Sequence, residues 1–386
     1  MSAALALILA ALFAAAAVAV IRAIATPRAA PPSPPLPEAA LAEAEGVEDR
    51  LAAAVRRATV SSFDAAAEDD EAFAAFKRDL AHLFPRVHAA LPKRELGERA
   101  LVYEWKGSDP TLAPVILCAH FDVVPADDAA EWRHGPFSGD IAEGAVWGRG
   151  TQDIKVCLVA ALDAAERILA AGRKPRRTVY FAFGGDEEVG GNRGAAAIAA
   201  HLAEAGVRAS FLLDEGGPVA DGMLSFADRP LALVGIAEKG YLDAAVETKG
   251  SGGHASMPPK RSAAGDLARA VAAVEAKPSP ARLTYTVRNF LDRLAPYAPF
   301  AYRLLFRNLW LTGPLVKAAF SAAPTTNALV RTTAAPTMLQ GSAKENVLAD
   351  RARANVNMRI LPGDTTEAAL ERLSRLVARH GAAATV

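Results

Sequence analysis

Four places in this chain put an imidazole or a carboxylate straight after an apolar run or a glycine-rich turn. Val115-Ile116-Leu117-Cys118-Ala119 leads into His120-Phe121-Asp122, and Trp147-Gly148-Arg149-Gly150-Thr151-Gln152 leads into Asp153. Val179-Tyr180-Phe181-Ala182-Phe183-Gly184-Gly185-Asp186 leads into Glu187-Glu188, and Phe211-Leu212-Leu213 into Asp214-Glu215-Gly216-Gly217. A His-x-Asp pair can supply a metal ligand together with the carboxylate that orients it through its other N–H. Asp153, between a tight turn and a helix, reads either as an N-cap or as a ligand. The neighbours Glu187 and Glu188 repel each other unless a cation sits between them or one holds a proton. That is the division of labour wanted for a metal ligand beside a general base. Taken together, these imidazole and oxygen donors suit two divalent cations bridged by one carboxylate. Zinc fits best, with manganese or cobalt open. Such a pair activates water and polarises a carbonyl.

The elements that must position these groups follow from periodicity. Ala100–Trp105, Val115–Ala119, Thr178–Phe183 and Ala209–Leu213 read as strands, and Gly150–Ala171 and Gly194–Ala205 as helices. Strands alternating with helices predict an α/β fold, a doubly wound and mostly parallel sheet, with its site beyond the strand C-termini. Upstream, Leu41–Leu91 reads as amphipathic helix, with Phe73, Phe76, Leu80 and Leu83 at helical spacing behind Asp69-Asp70-Glu71. Beyond Ile236 the rhythm changes. Gly240–Thr248 and Ala352–Ile360 alternate with period two, while Ala263–Glu275 and Thr365–His380 are helical, which predicts an inserted, smaller α+β domain. Leu283–Ala322, rich in Phe, Tyr, Trp and Leu, reads as a helical insertion that covers a groove or lies on a partner surface. The expected divisions are 1–25, 26–40, 41–236 and 237–386.

With 386 residues, 43 basic and 43 acidic, the chain has no basic footprint for nucleic acid. Cys118 and Cys157 show no paired spacing and read as thiols within a strand and a helix. Ser2–Ile21 carries no charge and is just long enough for a bilayer, so it reads as a membrane anchor; a cleaved signal peptide ending near Ala23-Ile24-Ala25, which would make the chain secreted or periplasmic, and a misassigned start remain open. Six prolines between Thr26 and Pro37 suggest an extended spacer.

The motifs Ala119-His120-Phe121-Asp122-Val123-Val124-Pro125, Gly148-Arg149-Gly150-Thr151-Gln152-Asp153-Ile154-Lys155, Gly185-Asp186-Glu187-Glu188-Val189-Gly190-Gly191 and Leu213-Asp214-Glu215-Gly216-Gly217 resemble the dizinc metallopeptidase and aminoacylase family that includes carboxypeptidase S. Downstream, Gly252-Gly253-His254-Ala255-Ser256, Thr326-Asn327-Ala328 and Asn357-Met358-Arg359-Ile360-Leu361-Pro362-Gly363-Asp364 are similar to that family's lid, closest to its carboxypeptidase S branch. The resemblance implies two zinc ions, with His120 and Asp214 on one, Glu188 on the other and Asp153 bridging. It makes Glu187 the general base and Asp122 the residue that orients His120. It places His254, Arg359 and Asn327 on the substrate, His254 reaching a neighbouring site in a homodimer formed through the lid. The implied reaction is hydrolysis of the amide next to a free carboxylate in small peptides or N-acyl amino acids. The family takes its last zinc ligand from a histidine beyond the lid. The sequence here stops at Val386 inside the lid region, and His380 does not take that role. The expectation is therefore a C-terminally incomplete enzyme or an incomplete second metal site, and a non-catalytic, membrane-tethered peptide-binding protein is the rival.

Overall fold

In the computed structural model the chain divides into two compact units, Ser33–Gly216 and a second that joins Met1–Pro32 to Gly217–Val386. The structure describes residues 3–27, 46–127, 129–217, 219–222 and 229–386; the predicted spacer lies outside them from residue 28 on, as do the first residues of the helical region expected from Leu41. The division after Gly216 falls earlier than the boundary at 236 read from the sequence. Helix α1 (Ala3–Ile24) opens the chain and belongs to the second unit.

The first unit contains α2 (Val47–Val55), α3 (Asp70–Leu83) and α4 (Pro85–Ala90), followed by β1 (Lys93–Glu95), β2 (Ala100–Trp105) and β3 (Val115–His120). A small hairpin, β4 (Asp140–Ala142) and β5 (Ala145–Trp147), precedes α5 (Val156–Ala170), β6 (Val179–Gly184), α6 (Ala195–Glu204) and β7 (Phe211–Leu213). The sheet runs β1-β2-β6-β3-β7. β3 pairs parallel with β6 and with β7, whereas β2 is antiparallel to both β1 and β6. The sheet is mixed rather than mostly parallel. The four-residue β1–β2 link, residues 96–99, contains no crossover helix, and a short link of that kind joins only antiparallel neighbours.

Packing then aims the site. Asp69 caps α3 by accepting the N–H groups of Glu71 and Ala72, which turns Phe73, Phe76 and Leu80 into the core. Phe121 stacks on Phe76 with ring centroids 5.1 Å apart and meets Phe73 edge-on at 6.1 Å. Burying Phe121 at the end of β3 fixes the direction of both its neighbours, His120 and Asp122. The predicted helical stretch from Leu41 is broken, because residues 56–64 run past the strand ends instead, with Val60 bridged to Val123. β7 is the sheet's edge among the described residues, and Phe211, Leu212 and Leu213 are 54–56% exposed.

The second unit contains β8 (Val219–Ala220), β9 (Leu231–Ala232), β10 (Gly240–Lys249), β11 (Gly253–His254) and α7 (Ala263–Ala276). The helical insertion follows as α8 (Tyr285–Leu294), α9 (Phe300–Phe306), α10 (Leu309–Ser321) and α11 (Pro324–Val330). β12 (Thr333–Gln340), β13 (Val347–Leu348), β14 (Arg351–Ile360), α12 (Thr366–Ala378) and β15 (Ala382–Thr385) complete it. Its antiparallel sheet runs β12-β14-β10-β15. Alternation along β10 and β14 buries Leu242, Ala244 and Val246 with Ala354, Val356 and Met358 beneath α7 and α12, leaving the other face open. β15, three alanines and a threonine, has no strand signature in the sequence and owes its state to pairing with β10.

Candidate metal centre

His120, the last residue of β3, is buried. Its Nδ1–H donates to the main-chain carbonyl of Asp122 at 3.0 Å and lies 3.3 Å from the Asp122 carboxylate. That fixes Nε2 as the outward nitrogen, and three carboxylates converge on it: Asp153 at 3.0 Å, Glu215 at 3.2 Å and Glu187 at 3.9 Å. Two overlapping donor sets result, His120 with Asp153 and Glu215, and His120 with Glu187 and Glu188, the donor atoms of each lying within 4.8 Å of one another.

Asp122 is fully buried and saturated with donors. It accepts from Ser61 Oγ at 2.7 Å and from the backbone N–H groups of Glu187 and Glu188 at 3.1 Å each. Burial would raise its pKa, but these bonds and the His120 charge outweigh burial and lower it. Ser61 is a positioning residue that the sequence does not announce, since it sits where amphipathic helix is expected.

Glu187 and Glu188 occupy a short turn at the end of β6 whose glycines are required. A Cβ on Gly185 would lie 2.5 Å from the Phe121 ring. Asp186 anchors the turn by accepting the N–H groups of Arg193 and Gly194, which ties it to the start of α6. Burial, then the surrounding carboxylates, raise the pKa of Glu187 against the opposing influence of His120. Glu188 is raised in the same way, first by burial and then by the charge of Asp153.

Asp153 is not a helix cap. Gly150 adopts a left-handed conformation (φ 85°), Asp153 and Ile154 have non-helical backbone angles, and α5 begins only at Val156. Two residues on, Lys155 turns inward and donates to the carbonyls of Ala54 at 3.1 Å and Arg57 at 2.7 Å. Burial pulls its pKa down to about 7. The turn that presents Asp153 is thus tied to the end of α2.

At β7 the residue that lies beside His120 differs from the one named in the sequence reading. The carboxylate beside His120 and Asp153 belongs to Glu215, whereas Asp214 accepts the N–H of Glu215 at 3.0 Å, and its charge adds to the effect of burial in raising the Cys118 pKa. In register, β7 pairs Leu213 with Leu117, so strand alternation carried onward would put Asp214 on the His120 face. β7 ends at Leu213, however, and in the turn through Gly216 (φ 95°) alternation no longer governs direction. Two adjacent acids at a strand end were the available signal, and it did not say which of them faces inward.

The donor set fits a divalent metal. Burial alone would lower the His120 pKa, yet Asp122 first, then Asp153 and Glu187, raise it to about 10. A proton on Nε2 here serves as the cation that the carboxylates demand, and a metal would displace it.

In the second unit, His254 is exposed on β11, and its Nδ1 accepts the Ser256 N–H at 3.2 Å, which leaves Nε2 as the outward atom. Arg359 projects from the open face of β14, its guanidinium 4.8 Å over the Tyr241 ring that pairs with it across the sheet. Asn327 lies partly buried on α11.

Residues 116–343, more than half of the chain, match peptidase family M20/M25/M40. The chain belongs to this family. Probable carboxypeptidase S-like 2 of Dictyostelium discoideum is 40% identical over 85% of this chain and 64% of its own length. The N-fatty-acyl-amino acid synthase/hydrolase PM20D1 of Mus musculus is 37% identical over 87% of this chain and 67% of its own length. The chain thus spans about two thirds of the length of these M20 relatives. The M20 family metallo-carboxypeptidase Sso-CP2 from Sulfolobus solfataricus has the same fold, with a TM-score of 0.59 and 17% identity, covering 88% of this chain and 78% of that one.

Proposed function

We propose that this chain carries the metal-binding part of a hydrolase that cleaves an amide next to a free carboxylate, in small peptides or N-acyl amino acids. The observation that carries the reading is the convergence of Asp153, Glu215 and Glu187 on one outward His120 nitrogen, with Asp122 behind the ring. The names of the relatives, a carboxypeptidase and an N-acyl amino acid hydrolase, favour this substrate class.

His120, Asp153 and Glu215 would hold one divalent ion and Glu188 the second, with Asp153 between them; zinc suits the donors best, with manganese or cobalt as alternatives. When bound, such ions supply Lewis-acid polarisation of the carbonyl and acidification of water. Glu187 takes a proton from the attacking water and returns it to the leaving amine, a task helped by a carboxyl whose pKa is held above the ordinary range. Asp122 keeps the His120 ring and the Glu187-Glu188 backbone in one orientation. His254 Nε2–H stabilises the developing oxyanion from the partner copy of a homodimer, and Arg359, with Asn327, receives the substrate carboxylate. We further propose that α1 is retained as a membrane anchor, among the described residues the one helix long and apolar enough to span a bilayer.

Elemental analysis of the purified chain, together with hydrolysis of a panel of N-acyl amino acids and dipeptides with and without chelator, tests the reading. Bound divalent metal and chelator-sensitive release of a free amino acid support it. A metal-free protein that still hydrolyses the panel overturns it.

A further inference from the structure

We propose that the α9–α10 insertion is a second membrane element, whose apolar face lies in the surface of an anionic bilayer beside α1. Every exposed position of α10 is apolar: Trp310, Leu311, Pro314, Leu315, Ala318 and Ala319 form one stripe, with Trp310, Leu311 and Leu315 at 54%, 48% and 60% exposure. A stripe of this kind, bare of polar groups, is what an interfacial helix presents to lipid.

The occupant follows from α1. Its 22 residues span about 33 Å at 1.5 Å per residue, barely more than the roughly 30 Å of a bilayer core. Its N-terminal half is exposed, but Ala19 and Ala23 are buried. The fully buried Asn308 donates from Nδ2 to the Ala19 carbonyl at 3.0 Å, and Arg22 Nε donates to the Arg307 carbonyl at 3.1 Å. α1 has no length to spare, so a bilayer it crosses must reach the level at which α9 and Asn308, just before α10, pack on it. Charge agrees. The whole chain is neutral, yet residues 283–322 carry five basic side chains and one acidic. Arg22, Arg288 and Arg307, with Asp292 the one acid among them, line a cavity of about 550 Å³ beside Trp310. Guanidinium groups around a cleft at the foot of a membrane helix suit an anionic lipid headgroup. Trp310, its Nε1–H on Asn308 Oδ1 at 3.3 Å, has the amphipathic placement of an interfacial tryptophan.

This inference rests on the retained anchor and not on the hydrolase. The test reconstitutes the full chain into vesicles of phosphatidylcholine and phosphatidylglycerol with brominated acyl chains. The chain has four tryptophans and only Trp310 lies in the insertion, so quenching should remove up to about one quarter of the emission. Trp310→Phe should abolish that quenching. The double variant Leu311→Glu, Leu315→Glu should also lose it while α1 still holds the chain on the vesicles. A chain that does not stay with vesicles overturns the anchor and the inference together. A retained chain whose emission is unquenched, or quenched equally in Trp310→Phe, overturns the inference alone. So does protection of Trp310 from iodide without lipid quenching, which assigns the face to contact between copies.

Discussion

The Asp122 carboxylate accepts the backbone N–H of Glu188 at 3.1 Å. The same carboxylate lies 3.3 Å from His120 Nδ1 and accepts the N–H of Glu187. One buried side chain therefore sets the distance between the end of β3, which carries the imidazole, and the end of β6, which carries the two glutamates.

Replacing that carboxylate by an amide tests its positioning role. In Asp122→Asn an NH2 group faces donors and cannot accept from them, so the His120 ring and the Glu187-Glu188 turn lose their common reference. Metal affinity should fall about 10- to 100-fold, the usual effect of losing a ligand's orienting partner. Calorimetric titration of the metal-free chain with zinc measures this, and an unchanged affinity would remove Asp122 from the site.

Glu215 and Asp214 make opposite predictions. Glu215→Gln should lower metal affinity at least about tenfold, since its carboxylate lies 3.2 Å from His120 Nε2. Asp214→Asn should leave affinity nearly unchanged, because that side chain is occupied with its own turn. The reverse order in the same titration would restore the reading that alternation along β7 suggests.

Acid stability should depend on Glu68, outside the metal site. Its side chain is fully covered and bonds Arg99 and Arg193 at 2.6 Å each, which links the residue just before β2 to the turn after Asp186. Burial pushes its pKa up, but the bonds from Arg193, Ser62 N–H and Arg99 outweigh burial and bring it from 4.5 down to about 2. A carboxylate depressed by folding adds stability that is complete above pH 4.5 and disappears as the pH falls toward 2. At about 1.4 kcal/mol for each tenfold change in acidity, the contribution is roughly 3 kcal/mol at most. Denaturant unfolding from pH 7 to pH 2.5 should show a steep loss below pH 4.5 in the parent chain. Glu68→Gln should be less stable at pH 7 and flatter across that window. Equal slopes would assign the acid sensitivity to other groups.

Much of the centre is legible in the sequence because β3 and β6 are apolar runs that stop abruptly at His120 and Gly184, so the residues just beyond them are known to share one sheet edge. The lid-like sheet is legible for the same reason, the period-two pattern of β10 and β14. What sequence reading misses depends on turns. Gly150 delays the start of α5 to Val156 and frees Asp153 from capping, the turn after Leu213 brings the Glu215 carboxylate beside His120, and the extended stretch before α3 brings Ser61 to Asp122. In each case a direction is set by local backbone geometry that residue type leaves open.

The central claim is that Glu187 moves protons while its neighbours hold metal. The most direct test compares Glu187→Gln with the parent chain for zinc content and for turnover of an N-acyl amino acid in one preparation. Zinc should stay within experimental error of the parent, and turnover should fall by about 10²- to 10⁴-fold, the range for a lost general base. Near-parental turnover, or loss of zinc together with activity, would contradict the assignment.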